Sequence, residues 1–148
     1  LRDGSSKMSK SDQSDYSRIN LNDDADTISQ KIRKAKTDPD PLPETMEGLN
    51  DRAEARNLVT IYAALADCST QEVLTDFAGQ GFGVFKPALV DVAVAKLAPV
   101  TTAMRQYMDD PSYVTAVLDE GAERAHAIAR PIMQDIRERL GFVGNSLG

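Results

Sequence analysis

Apolar residues along most of this chain recur three and four positions apart: Ile28, Ile32 and Ala35; Leu58, Ile61, Tyr62 and Leu65; Leu89, Ala93, Leu97, Val100, Met104 and Tyr107. That spacing follows the 3.6-residue turn of an α-helix, and nothing like the strand-and-helix alternation of a parallel sheet accompanies it. The expected fold is therefore all-α, a helical bundle. A fourth stripe, Val114, Val117, Gly121, Ala125, Ile128, Ile132, Ile136 and Leu140, is expected to face inward from a last long helix. Small residues at 121, 122, 125 and 129 would let a neighbouring helix approach closely.

Start and stop signals divide the pattern. Asp23 or Asp24 can cap a first helix reaching about Lys36, with Asp26 in its first turn and Lys34 and Lys36 in its last, matching the helix dipole at both ends. Pro39, Pro41 and Pro43 forbid regular helix and read as an extended linker ending near Gly48, the natural boundary. A second helix spans about Asp51 to Asp67. Ser69 with Glu72 forms a capping box for a short third helix that Gly79 stops. The fourth, about Val84 to Met108, carries Val90, Val92 and Val94 beside its main stripe and is expected to be the most buried, with Pro99 kinking it. Tyr62 and Tyr107 both read as core.

The glycine-rich run Gly79, Gln80, Gly81, Phe82, Gly83 is no phosphate loop, since no strand precedes it and Val84 stands where a dinucleotide fingerprint needs its third glycine. It reads as a corner between helices. The sole histidine, His126, has Ala122 and Arg130 one turn away on either side and is read as a surface or interface residue, not a metal ligand. A single cysteine, Cys68, excludes an internal disulfide and a thiolate metal cluster. The 148 residues suffice for one domain with a sizeable core and a short arm. No apolar run is long enough to span a membrane and no leader pattern opens the chain, so the expected compartment is the cytoplasm. A formal net charge of −6 argues against a general binder of DNA or RNA, because phosphate neutralisation supplies most sequence-independent affinity. RNA contact would have to be local. The densest basic stretch, Lys31, Arg33, Lys34 and Lys36, is the candidate for phosphate contact, with a solvated face as the plainer reading.

One short string carries chemistry. Lys7, Met8, Ser9, Lys10 and Ser11 place two cations on a small-residue loop. Expulsion of pyrophosphate from ATP builds negative charge on the leaving group, and two ammonium groups in reach of it favour the transition state over the bound substrate. The serines let backbone approach phosphates and add donors, and Met8 can tuck beneath the loop as an apolar anchor.

The KMSKS string of residues 7–11 resembles the nucleotide-handling loop of aminoacyl-tRNA synthetases with a Rossmann-type catalytic domain. Three stretches extend the likeness over nearly the whole chain: Leu1 to Asp38 (LRDGSSKMSKSD, then DYSRINLNDDADTISQKIRKAKTD); NLVTIYAAL from Asn57 with GQGFGVFK from Gly79; and VLDEGAERA from Val117. Together they are similar to the carboxyl half of the bacterial tryptophanyl-tRNA synthetase family. The resemblance implies a class I ligase that uses ATP with Mg2+ to make tryptophanyl-adenylate and transfers the amino acid to tRNA(Trp). Lys7 and Lys10 would be its catalytic cations here, and Lys7, Met8, Ser9, Lys10 and Ser11 its ATP-binding loop. It further implies that residues 1–23 end a catalytic domain, 24–50 connect, and 51–148 form a helical domain on the anticodon side, with Phe85 packing inward at the glycine corner. A homodimer is implied for the complete enzyme. The family's His-x-Gly-His turn is missing and the first residue is Leu1, so the expectation is a segment of a longer polypeptide, inactive alone. Where relatives usually carry proline after the aspartate, Gln13 follows Asp12, implying a more mobile loop exit. The alternative is a stand-alone helical RNA-binding or dimer-contact module with an idle lysine arm.

Overall fold

The structure, a computed structural model, describes Gly4, Ser5, Ser9 and residues 11–142. The described residues form no strand. Five α-helices follow one another: α1 (Ala25–Arg33), α2 (Ala53–Ala66), α3 (Thr70–Phe77), α4 (Phe82–Asp109) and α5 (Pro111–Leu140). Short 3-10 turns occupy Asp15–Ser17 and Met46–Leu49. Two compact units result, Leu1–Arg105 and Gln106–Gly148, with α4 running through the division.

In the first unit, local signals set the helix ends. Asp24 caps α1 by accepting from the Thr27 N–H at 2.8 Å. Ser69 and Glu72 close the expected capping box on α3, and Gly79 follows it at φ 71°, a conformation open to glycine. The core gathers Ile28, Ile32 and Ala35, then Ala55, Leu58, Val59 and Ala63 of α2, Val73 and Leu74 of α3, and Phe82, Phe85, Leu89 and Ala93 of α4. Phe85 lies inward, as the resemblance implied, with ring centroids 5.1 Å from Phe77 and 5.6 Å from Tyr62.

Several expectations are corrected. Helix α1 ends at Arg33, short of Lys36, because the Lys86 ammonium donates to the Arg33 and Ala35 carbonyls and takes over the last turn. Helix α4 begins at Phe82, two residues early, so Pro87 falls in its second turn; Pro99 lies inside it. Its burial ends near Thr101: Val100, Met104 and Tyr107 are exposed, and Tyr107 stacks on Tyr113 at 5.7 Å rather than entering a core. The inward stripe expected on α5 is exposed throughout, with Ile128 at 71% and Leu140 at 65%. An amphipathic pattern records that a face suits an apolar partner, without saying that the same chain supplies it.

The Pro-rich stretch is extended as expected, yet it does not hang free. Leu42 is buried, its N–H donates to the Gln80 carbonyl and its own carbonyl accepts from Gly79, both at 2.9 Å. Arg52 clamps the same stretch by a fork onto the Asp38 carboxylate (3.0 and 2.6 Å) and by bonds to the Asp40 and Pro41 carbonyls, each 2.8 Å. Residues 24–50 therefore lie inside the first unit.

Candidate functional site

Of the five loop residues, Lys7, Met8 and Lys10 lie outside the described residues; Ser9 and Ser11 are exposed and close a small turn. The Ser11 N–H donates to Ser9 Oγ at 3.3 Å, the two hydroxyls are 3.4 Å apart, and the Asp12 N–H donates to the Ser9 carbonyl at 3.3 Å. Beyond the turn, Asp12 Oδ1 accepts from the Ser14 N–H at 2.7 Å. That side chain bridges over Gln13, so a hydrogen bond constrains the exit where a proline ring would otherwise do so.

The flanks on both sides are fastened to the first unit. Gly4 sits so close to the start of α2 that a Cβ there would fall 2.4 Å from the Ala53 carbonyl oxygen and 2.7 Å from the Glu54 nitrogen. Only glycine fits against backbone at that range. On the far side stands an ionic cluster built on Lys31. Its side chain is 2% exposed, and its ammonium lies 2.6 Å from Asp23 Oδ2 and 2.8 Å from Asp15 Oδ2. Burial acts to lower the Lys31 pKa, but the Asp15 and Asp23 carboxylates outweigh it and hold it above the ordinary value. The Lys31 ammonium, helped by the Asn20 amide, in turn holds Asp15 below the usual carboxylate range. Asp23 is further fixed by the Asn20 N–H at 2.8 Å, while Thr101 of α4 reaches its carbonyl at 3.5 Å.

This changes the reading of the basic stretch. Lys31 is unavailable to RNA; it is a buried ion-pair partner, since two carboxylates converge on it from preceding segments. Lys36 bonds Glu54 Oε1 at 2.6 Å, and Lys34 lies over the Tyr16 ring, 4.6 Å from its centroid. Arg33 stays exposed. A signal for Lys31 was present: it follows Ile28 by three and precedes Ala35 by four, in the middle of the buried stripe. Gly4 and the capping role of Lys86, whose pKa burial lowers, had no such signal. His126 is exposed, and among the described residues no group of three His, Cys, Asp or Glu could hold a metal. Among them, too, no helix is long and apolar enough to cross a membrane.

The family model described as tRNA synthetases class I (W and Y) matches residues 1–97, more than half of the chain, and the chain belongs to that family. Within it, the tryptophan–tRNA ligase of Rhizobium meliloti (strain 1021) is 60% identical over 143 residues, covering 97% of this chain and 40% of that protein. That of Caulobacter vibrioides is 58% identical over 144 residues, covering 97% and 42%. The chain thus spans about 40% of the length of these relatives. A crystal structure of tryptophanyl-tRNA synthetase from Mycoplasma pneumoniae superposes with a TM-score of 0.67 at 24% identity, over 100% of this chain and 46% of that one, and shows a shared fold.

Proposed function

We propose that this chain is the part of an ATP-dependent tryptophan–tRNA ligase that brings the lysine loop to the nucleotide. The observation that carries this reading is the identity of 60% along 97% of the chain to a protein of that name, running through the KMSKS string. Lys7 and Lys10 act as catalytic cations on the phosphates, and Met8, Ser9 and Ser11 complete the ATP-binding loop. Mg2+ enters with the nucleotide. The tryptophan pocket, the other half of the ATP site and most of the catalytic domain are supplied by polypeptide outside this sequence, so the chain alone is inactive. Residues 51–148 serve tRNA(Trp) on the anticodon side, in a cytoplasmic homodimer that needs neither DNA nor membrane.

In the complete ligase, Lys10→Ala should slow ATP–pyrophosphate exchange by about 10² to 10³, the loss usual for removing one transition-state charge stabiliser. An unchanged exchange rate would refute the role. Mixing this chain with the remainder of the ligase should restore exchange that neither part has alone. A second reading, a stand-alone RNA-binding or dimer-contact module, draws on the exposed apolar face of α5. Under it the mixture would show no exchange.

A further inference from the structure

The geometry points to Lys31 as a positioning residue for the lysine loop, acting through Asp15 and Arg18. This rests on the function proposed above. The contacts form a chain from the core to the loop exit. Lys31, fully enclosed on α1, holds Asp15 Oδ2 at 2.8 Å. The other oxygen of that carboxylate receives the Asn20 amide at 2.9 Å and faces the Arg18 guanidinium at 3.6 Å. Arg18 reaches back to the Asp12 carbonyl at 3.1 Å, and Asp12 is bonded to the Ser9 carbonyl across the turn. Asp12 is two residues from Lys10 along the chain.

A buried cation held by two carboxylates has one low-energy place, because moving it would leave unpaired charge out of water. Asp23, Asn20 and Thr101 hold that place from the core side, so the cluster transmits the rigidity of α1 and α4 to residues 12–18. Charge stabilisation in a transition state depends on cations fixed in advance. The cluster ties down the segment that directly follows those cations in the chain.

The test is a double-mutant cycle in the complete ligase, reading ATP–pyrophosphate exchange per active site. Asp15→Asn removes the exposed partner, whose side chain is 57% accessible, and should leave the fold intact. The expected loss is about 2- to 30-fold, the range for mutations that act on a site through a contact network. In a Lys10→Ala background the same substitution should cost less than in the parent, because one of the two cations being positioned is gone. Hydrogen exchange at residues 11–18 should quicken in Asp15→Asn, and Lys31→Arg should retain more activity than Lys31→Met. Equal losses in both backgrounds, or no loss in the Asp15 variant, would overturn the inference while leaving the function standing. If Lys10→Ala itself has no effect, the proposed function fails first.

Discussion

Replacing Phe85 by alanine should test whether the corner joining α3 and α4 rests on one aromatic plug. Phe85 is fully buried and meets three rings, Phe77, Tyr62 and Phe82, at centroid distances of 5.1, 5.6 and 6.2 Å. Removing a core phenylalanine costs about 3 to 5 kcal/mol in transfer and cavity terms. Edge-on aromatic pairs add about 0.5 to 1.5 kcal/mol beyond area, which places this site near the upper end of that range. With a urea slope of about 2 kcal/mol per molar for a unit of this size, a loss near 4 kcal/mol lowers the midpoint by roughly 2 M. Urea titration by circular dichroism gives the midpoint, and hydrogen exchange over residues 53–93 assigns the loss to the first unit. Val84→Ala, one residue earlier and 56% exposed, should stay within about 0.5 kcal/mol. A Phe85→Ala loss under about 1 kcal/mol would refute the plug, because it would mean that the surrounding helices close the space freely.

Ser69→Ala should cost about 1 kcal/mol in the same titration, since Ser69 Oγ accepts from the Glu72 N–H at 3.2 Å and the cap cannot be rebuilt by a methyl group. Part of the acid sensitivity should run through Asp38, whose carboxyl the Arg52 guanidinium holds below its usual 3.8. A carboxylate lowered in the folded state contributes stability above its unfolded pKa and loses it as pH falls through the folded one. Urea midpoints should therefore be flat near neutrality and drop below about pH 4, with Asp38→Asn showing a lower plateau and a shallower acid fall; an acid limb as steep as that of the parent would count against the pair. Lys31 works in the opposite sense. Raised in the folded state, it contributes below its usual 10.5 and is lost as pH rises through the higher folded value, so Lys31→Met should flatten the alkaline limb.

What could be read from the residues was what depends on near neighbours. The Asp24 cap, the Ser69–Glu72 box, the stop at Gly79 and the stripe of Ile28, Ile32 and Ala35 each need only a few positions of context, and all are present. Contacts across longer separations were not legible. Arg52 reaches back to Asp38 and turns a proline-rich connector into packed structure, and Lys86 crosses about fifty residues to end α1. Periodicity also says nothing about who covers a face, which is why the stripe from Val114 to Leu140 is as regular as that of α1 and yet exposed. At the candidate site the KMSKS string was visible at once, and the place of Lys31 in the buried stripe was a signal too, whereas the two carboxylates that pair with it and the close approach of Gly4 to Ala53 were hidden.

The supports bear on how the two loop cations can act. Gly4 is pressed against the backbone of Ala53, and Asp12 is tied through Arg18 to the Lys31 cluster. Between them run seven residues, 5–11, which carry both lysines. A segment fastened at both ends loses less entropy on engaging a ligand than a free arm does, and loosening either fastening raises that cost without touching a cation. For that reason a defect at Gly4 or Asp15 should read as a slower reaction rather than as a missing group, and as a smaller loss than removal of a lysine itself.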